Sequence, residues 1–161
     1  MTRTVYSGPR VPDTPLLEGD SRGQPVVLAT LAVPFEPESA RVAIQAALES
    51  HAKLVVVDAV EMPLWHQCLT TRRAELELDE DRQEIRRLVG DAHGLGLQVE
   101  HLRVRSPRPV EALLEVAEEC NAGLLVLGPD PARLTKRLFA RAVRKIRKRA
   151  LCLTWIAGEG P

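Results

Sequence analysis

The chain alternates between short, almost wholly apolar runs and stretches in which apolar residues return every three or four positions. The runs PVVLATLAV, LVVVDAV and GLLVLG are too short for helices and rich in branched side chains, which predicts strands buried on both faces. LQVEHLRV alternates and predicts a further strand, broken by RSPRP, and CLTWIA predicts a last one.

The intervening stretches read as helices. From Ala40 to about His51, Ala43, Ala46, Ala47 and Ser50 share a face while Arg41, Gln45 and Glu49 lie opposite, with Ser39 of the loop FEPES as candidate cap. From about Asp81 to His93, Ile85, Leu88, Val89 and Ala92 form a stripe, and Gly94 and Gly96 end it by accepting the left-handed backbone of a final turn. VEALLEVAEECNA turns Leu113, Leu114 and Ala117 inward, and Arg133 to Arg149 predicts a long basic helix.

Strand and helix therefore alternate from end to end. That order predicts a single α/β domain: an open five-stranded parallel sheet, Rossmann-like, with helices on both faces through right-handed crossovers. Ligands of such sheets sit beyond the carboxyl ends of the strands, where the strand order switches. Those ends are Ala32 to Glu38, Asp58 to Met62 and Gly128 to Arg133. Residues 1–24 mix Pro, Gly, Ser and charge without apolar period, so a flexible tail is expected there. The domain is expected over 25–157, and a short tail over 158–161.

Composition narrows the picture. The 161 residues are 45% apolar, which suits one core, and 22 basic residues balance 22 acidic ones, so no overall field points to nucleic acid or an anionic membrane. No apolar run reaches the roughly 18 to 20 residues of a bilayer span. Cys68, Cys120 and Cys152 show no paired spacing, and no leader pattern is visible, so a reduced cytoplasmic setting is expected.

Three segments carry a resemblance: SPRPVEALLEVAEECNAGLLVLGPD, RALCLTWIA and LVVVDAVEMP. In order and spacing they resemble the universal stress protein (UspA-type) domain over about residues 25–157. Nucleotide-binding members of that family carry G-x2-G-x9-G-[ST] after the fourth strand, where glycines let backbone amides approach phosphates. Here Gly128 stands at the first glycine, Pro131 falls near the second, and Ala140 and Arg141 fall at the Gly-Ser pair. Pro131 has no amide hydrogen to donate. The Asp that the family would place near Ala32 to Pro34 is also missing. The resemblance thus implies a non-enzymatic stress-response or regulatory domain with a degenerate nucleotide site and no cofactor. Two alternatives stay open: an ATP- or AMP-binding module using arginine contacts, and an interaction module that docks an acidic protein or polyanion through the basic last helix.

The residues expected at any nucleotide or anion site are Gly128, Arg133, Arg137 and Arg141, with Ala59 and Val60 at the position resembling the family's adenine-side strand end. Between Asp130 and Glu159 there is no acidic residue, while Arg133, Lys136, Arg137, Arg141, Arg144, Lys145, Arg147, Lys148 and Arg149 are all basic. Arg133, Arg137, Arg141, Arg144 and Lys148 recur at helical spacing. The row reads as a solvated face or as an anion site. Sequence-specific nucleic-acid binding is not expected, because aromatic residues make up only 3% of the chain and no recognised motif is present.

No nucleophile with a supporting base is visible, so no catalytic residue is expected. His66 and Cys68 form an H-x-C pair without further ligands, so no metal is expected. Leu64 and Trp65 beside them read as a packed lid or an adenine platform. Glu75, Glu77, Asp79, Glu80, Asp81 and Glu84 read as charge near a helix N-terminus that suits its dipole, or as a face for another subunit's basic helix. Finally, CLTWIA is expected at a sheet edge. The family pairs this strand between copies, so Leu153, Thr154, Trp155 and Ile156 are expected to form a homodimer seam unless the N-terminal tail caps that edge.

Overall fold

A computed structural model describes residues 2–6, 23–62 and 72–159. The elements are β1 (Thr2–Tyr6), β2 (Val26–Thr30), α1 (Pro37–Glu49), β3 (Leu54–Glu61), α2 (Arg72–Gly94), β4 (Val99–Ser106), α3 (Pro109–Glu119), β5 (Leu124–Leu127), α4 (Lys136–Arg149) and β6 (Leu153–Ile156). The sheet order is β1-β4-β3-β2-β5-β6, and the last five strands run parallel.

The five-stranded parallel sheet read from the sequence is therefore present, with one addition. β1 pairs antiparallel with β4 along the whole stretch from Thr2 opposite Arg105 to Tyr6 opposite His101. The expectation of a tail through residue 24 is corrected for these five residues. Strand β4 would otherwise offer unpaired amides and carbonyls, and β1 satisfies them. The N-terminus thus covers the edge opposite to the one considered from sequence, and among the described residues β6 has β5 as its sole strand neighbour.

Pleating sends alternate side chains to two cores. Val27, Ala29, Val55, Val57, Leu125 and Leu127 meet α3 and α4, where Leu113, Val116, Ala142, Val143 and Ile146 are buried. Val26, Leu28, Leu54, Val56 and Val126 meet α1 and α2 through Ala40, Ala43, Ala47, Ile85 and Ala92. Each fully buried Leu or Val contributes about 2 kcal/mol, which is why the central strands are almost wholly apolar. The alanines of α1 let that helix lie close to the sheet.

Helix boundaries differ from the periodicity in instructive ways. Helix α1 starts at Pro37, whose missing amide costs nothing in a first turn. Ser39 is not its cap but sits buried inside that turn, its hydroxyl donating to the Glu36 carboxylate at 2.7 Å. Helix α2 begins at Arg72, nine residues before the start expected at Asp81, in a stretch rich in the helix-favouring residues Arg, Ala, Glu and Leu. Asn121 closes α3 at φ 54, a conformation Asn accepts. Helix α4 is capped by the Thr135 side chain, which accepts from the Leu138 amide at 3.3 Å. Among the described residues no helix is long and apolar enough to cross a membrane.

Candidate functional site

Strand order switches at β2, which has β3 on one side and β5 on the other. In an open parallel sheet the crevice outside the carboxyl ends of two such strands is the place for a ligand. Here two loops cross that place and join. The Glu36 amide donates to the Gly128 carbonyl at 2.9 Å, and the Asp130 amide donates to the Pro34 carbonyl at 2.8 Å. Phe35 and Pro129 form an antiparallel bridge between them.

Gly128 is needed at this junction for closeness, not for an unusual backbone angle. A Cβ there would lie 2.9 Å from the Ser39 hydroxyl oxygen and closer still to its Cβ. The first turn of α1 therefore rests on the end of β5. Beyond it, the Asp130 carboxylate accepts from the Ala132 amide at 2.9 Å, and the Arg133 amide donates to the Asp130 carbonyl at 3.1 Å. These bonds use the amides that follow the first glycine position.

The six residues expected at a ligand site are spread over β3, the β5–α4 loop and α4. Gly128 is in the junction. Arg133 donates to the Asp81 carboxylate at 2.9 Å, an ion pair between the β5–α4 loop and α2. Arg137 and Arg141 are exposed on α4, and Arg141 lies about 9 Å along the helix from its cap. Ala59 is buried in the core under α3 and α4, whereas Val60 is half-buried on the opposite face near the end of β3. Of the four edge residues, Ile156 is buried, Thr154 and Trp155 are half-buried, and Leu153 is 76% exposed beside Leu151 at 85%. His66 and Cys68, with Leu64 and Trp65, lie outside the described residues, as do the side chains of Glu75, Glu77, Asp79 and Glu80.

A buried polar group on the α2 side was not anticipated. Asp58, 4% exposed, stands in register between Thr30 of β2 and Arg103 of β4. Its Oδ2 is 3.7 Å from Arg103 Nε. Burial pushes the Asp58 carboxyl above its usual range, opposed by the Arg103 charge and a hydrogen bond from the Ala32 amide. Ala32 has φ 57, so Asp58 anchors a left-handed residue of the β2–α1 loop from the adjacent strand. His101, on the same face of β4, is pushed down by burial and by Arg103 and Arg86. The signal in the sequence was one acid inside an otherwise apolar strand and an arginine alternating into the next.

On the other face, α4 has two flanks. Lys145 donates to Glu111 of α3 at 2.6 Å, which holds the Glu111 carboxyl below its usual range. The outer flank, at the β6 edge, carries a cleft of about 570 Å³ lined by Phe139, Ala140, Val143, Arg144, Arg147, Lys148 and Glu159. Arg147 pairs with Glu159, in the turn that follows β6.

The universal stress protein family model matches residues 24–157, which contain strands β2 to β6 and helices α1 to α4. The chain belongs to the universal stress protein family. Solved members of the family share its fold. A universal stress protein from Archaeoglobus fulgidus in complex with dAMP is 17% identical, with 84% of this chain and 98% of that chain covered at TM-score 0.58. One from Burkholderia pseudomallei is 23% identical over 86% and 98% at TM-score 0.54. One from Arabidopsis thaliana with AMP bound is 15% identical over 83% and 90% at TM-score 0.54. No curated protein sequence matches the chain.

Proposed function

We propose that this member of the universal stress protein family is a non-enzymatic regulatory domain of the cytoplasm whose nucleotide crevice is closed. The observation that carries this reading is the paired junction of Glu36 with Gly128 and Asp130 with Pro34. Nucleotides enter such crevices by presenting phosphate to free amides at a loop and helix start. Here the amides of Asp130, Ala132 and Arg133 are bonded within the chain, Pro131 has none, and the Leu138 amide at the helix start is held by Thr135. Family members that bind dAMP or AMP make nucleotide the ligand to test.

Calorimetric titration with AMP, at about 0.3 M salt to screen long-range attraction, is expected to give no binding heat. Arg137 and Arg141 have no ion-pair partner among the described residues, which favours arginine contacts as the second reading. Micromolar binding of AMP, lost in Arg141→Glu, decides for that reading and overturns the first.

The domain pairs with a second copy along β6. Leu151 and Leu153 are exposed there, and among the described residues the strand's outer edge has no strand neighbour, only the Ile156 carbonyl being taken, by the Glu159 amide. The Ala157 amide bonds to the Leu127 carbonyl, so by alternation Trp155 faces β5 while Thr154 and Ile156 point their backbone groups outward. Thr154→Pro removes an outward amide and leaves the ladder to β5 intact. It is expected to sediment as a monomer where the parent chain dimerises. A Thr154→Pro chain that still dimerises excludes this seam.

A further inference from the structure

We infer that the outer flank of α4 forms, with the same flank of a second copy, a binding site for a compact multivalent phosphate anion. The inference rests on the β6 pairing just proposed. Antiparallel pairing of two β6 strands places a two-fold axis perpendicular to the sheet, so both α4 helices lie on one face, either side of that axis. With strands about 4.8 Å apart and helices packing at about 8 to 10 Å, the two outer flanks meet directly.

What meets is positive charge. Arg144, Arg147 and Lys148 line the cleft on this flank, and Glu159, its one acid, is already paired with Arg147. Neither Arg144 nor Lys148 has an ion-pair partner among the described residues. The opposite flank is different, since there Lys145 is satisfied by Glu111. The chain has no acidic residue between Asp130 and Glu159, so a second α4 brings no counter-charge of its own. Two copies therefore repel at the seam that their strands would join, unless an anion lies between them.

The chemistry of the flank selects the anion. Arginine forks bind phosphate oxygens through paired, charge-assisted hydrogen bonds, and lysine adds a point charge. Ala140, small and on the same flank, leaves room beside the cleft for a short chain of phosphates. An acidic peptide carries a backbone that the narrow seam would exclude. Each copy contributes half of the site.

The test is sedimentation velocity on the full chain, with sodium tripolyphosphate as probe. At about 20 mM salt, where charges act over distances near 20 Å, the parent chain is expected to be mostly monomeric. Adding tripolyphosphate, or raising salt to about 500 mM, is expected to tighten the dimer roughly tenfold or more. Arg144→Glu is expected to dimerise at low salt without the probe and to lose its response to it. An ATP arm separates an oligophosphate site, where both anions act alike, from a nucleotide site; ATP acting alone overturns the inference. So does an oligoglutamate that acts where tripolyphosphate does not. A dimer that is tight at low salt and indifferent to probe and to Arg144→Glu overturns it while leaving the β6 pairing intact. A chain that is monomeric under every condition, in parent and variant, removes the pairing itself.

Discussion

Gly128→Ala is expected to destabilise the domain by about 3 kcal/mol, at the upper end of the cost of overpacking a core. In a chain of this length that lowers the melting temperature by roughly 6 to 12 °C. The added methyl meets the Ser39 side chain at less than a van der Waals separation, and Ser39 belongs to the first turn of α1. It cannot swing aside, because its Cβ is fixed by the helix backbone and its hydroxyl is bonded to Glu36. Relief requires moving α1 off the end of β5, which stretches the bond from the Glu36 amide to the Gly128 carbonyl. The collision has a specific remedy. Ser39→Gly alone costs about 0.5 kcal/mol in helix propensity. In the Gly128→Ala background it is expected to restore stability, since the two side chains no longer meet. Thermal unfolding of the four chains gives the coupling. Additive effects would mean that the junction is looser than the contact implies.

The same junction shows what the sequence could and could not reveal. Pro131 standing near a glycine position was visible, because proline's lost amide is a property of the residue alone. The pairing of Phe35 with Pro129 was not, since it depends on the register between loops far apart in the chain. Strand β1 was missed for a related reason. TRTVY is rich in β-branched residues, but two adjacent apolar residues bury too little to order it alone. It becomes a strand because the edge of β4 is there to receive it. Helix α2 began early because Arg, Ala, Glu and Leu at its start favour helix, whereas periodicity registers only the apolar stripe from Ile85 onward.

The basic row on α4 was legible as charge, yet its division was not. Only packing separates Lys145, tied to α3, from Arg144, Arg147 and Lys148 at the β6 edge. A helix wheel gives faces; the neighbours decide what each face does. Arg133 makes the same point, since it shares the row's spacing but is held by Asp81 of α2.

Arg103→Met is expected to cost about 3 kcal/mol near neutral pH, because it leaves Asp58 charged, buried and without its cation. Asp58 already has a raised carboxyl pKa in the folded chain, with burial as the main cause and Arg103 the main restraint. A carboxyl raised on folding binds its proton more tightly in the native state. Its contribution to stability is therefore present at low pH and is lost as pH rises from the ordinary value of 3.8 through the folded one. Removing Arg103 raises that folded value further, so the deficit of the variant is expected to narrow as pH falls from about 7 toward 4. His101 acts in the same direction. Its lowered pKa gives stability that is present above 6.5 and lost as pH falls, and Arg103 is part of that lowering. Without Arg103 the acid loss from His101 is smaller, which narrows the gap again. Adding Asp58→Asn to Arg103→Met removes the stranded charge and is expected to recover most of the lost stability at neutral pH. Denaturant unfolding of the parent, the single variants and the double variant at three pH values checks the whole chain of causes. A deficit that is the same at every pH, or a double variant no better than Arg103→Met, would show that Arg103 acts through packing of its stem and not through the Asp58 carboxylate.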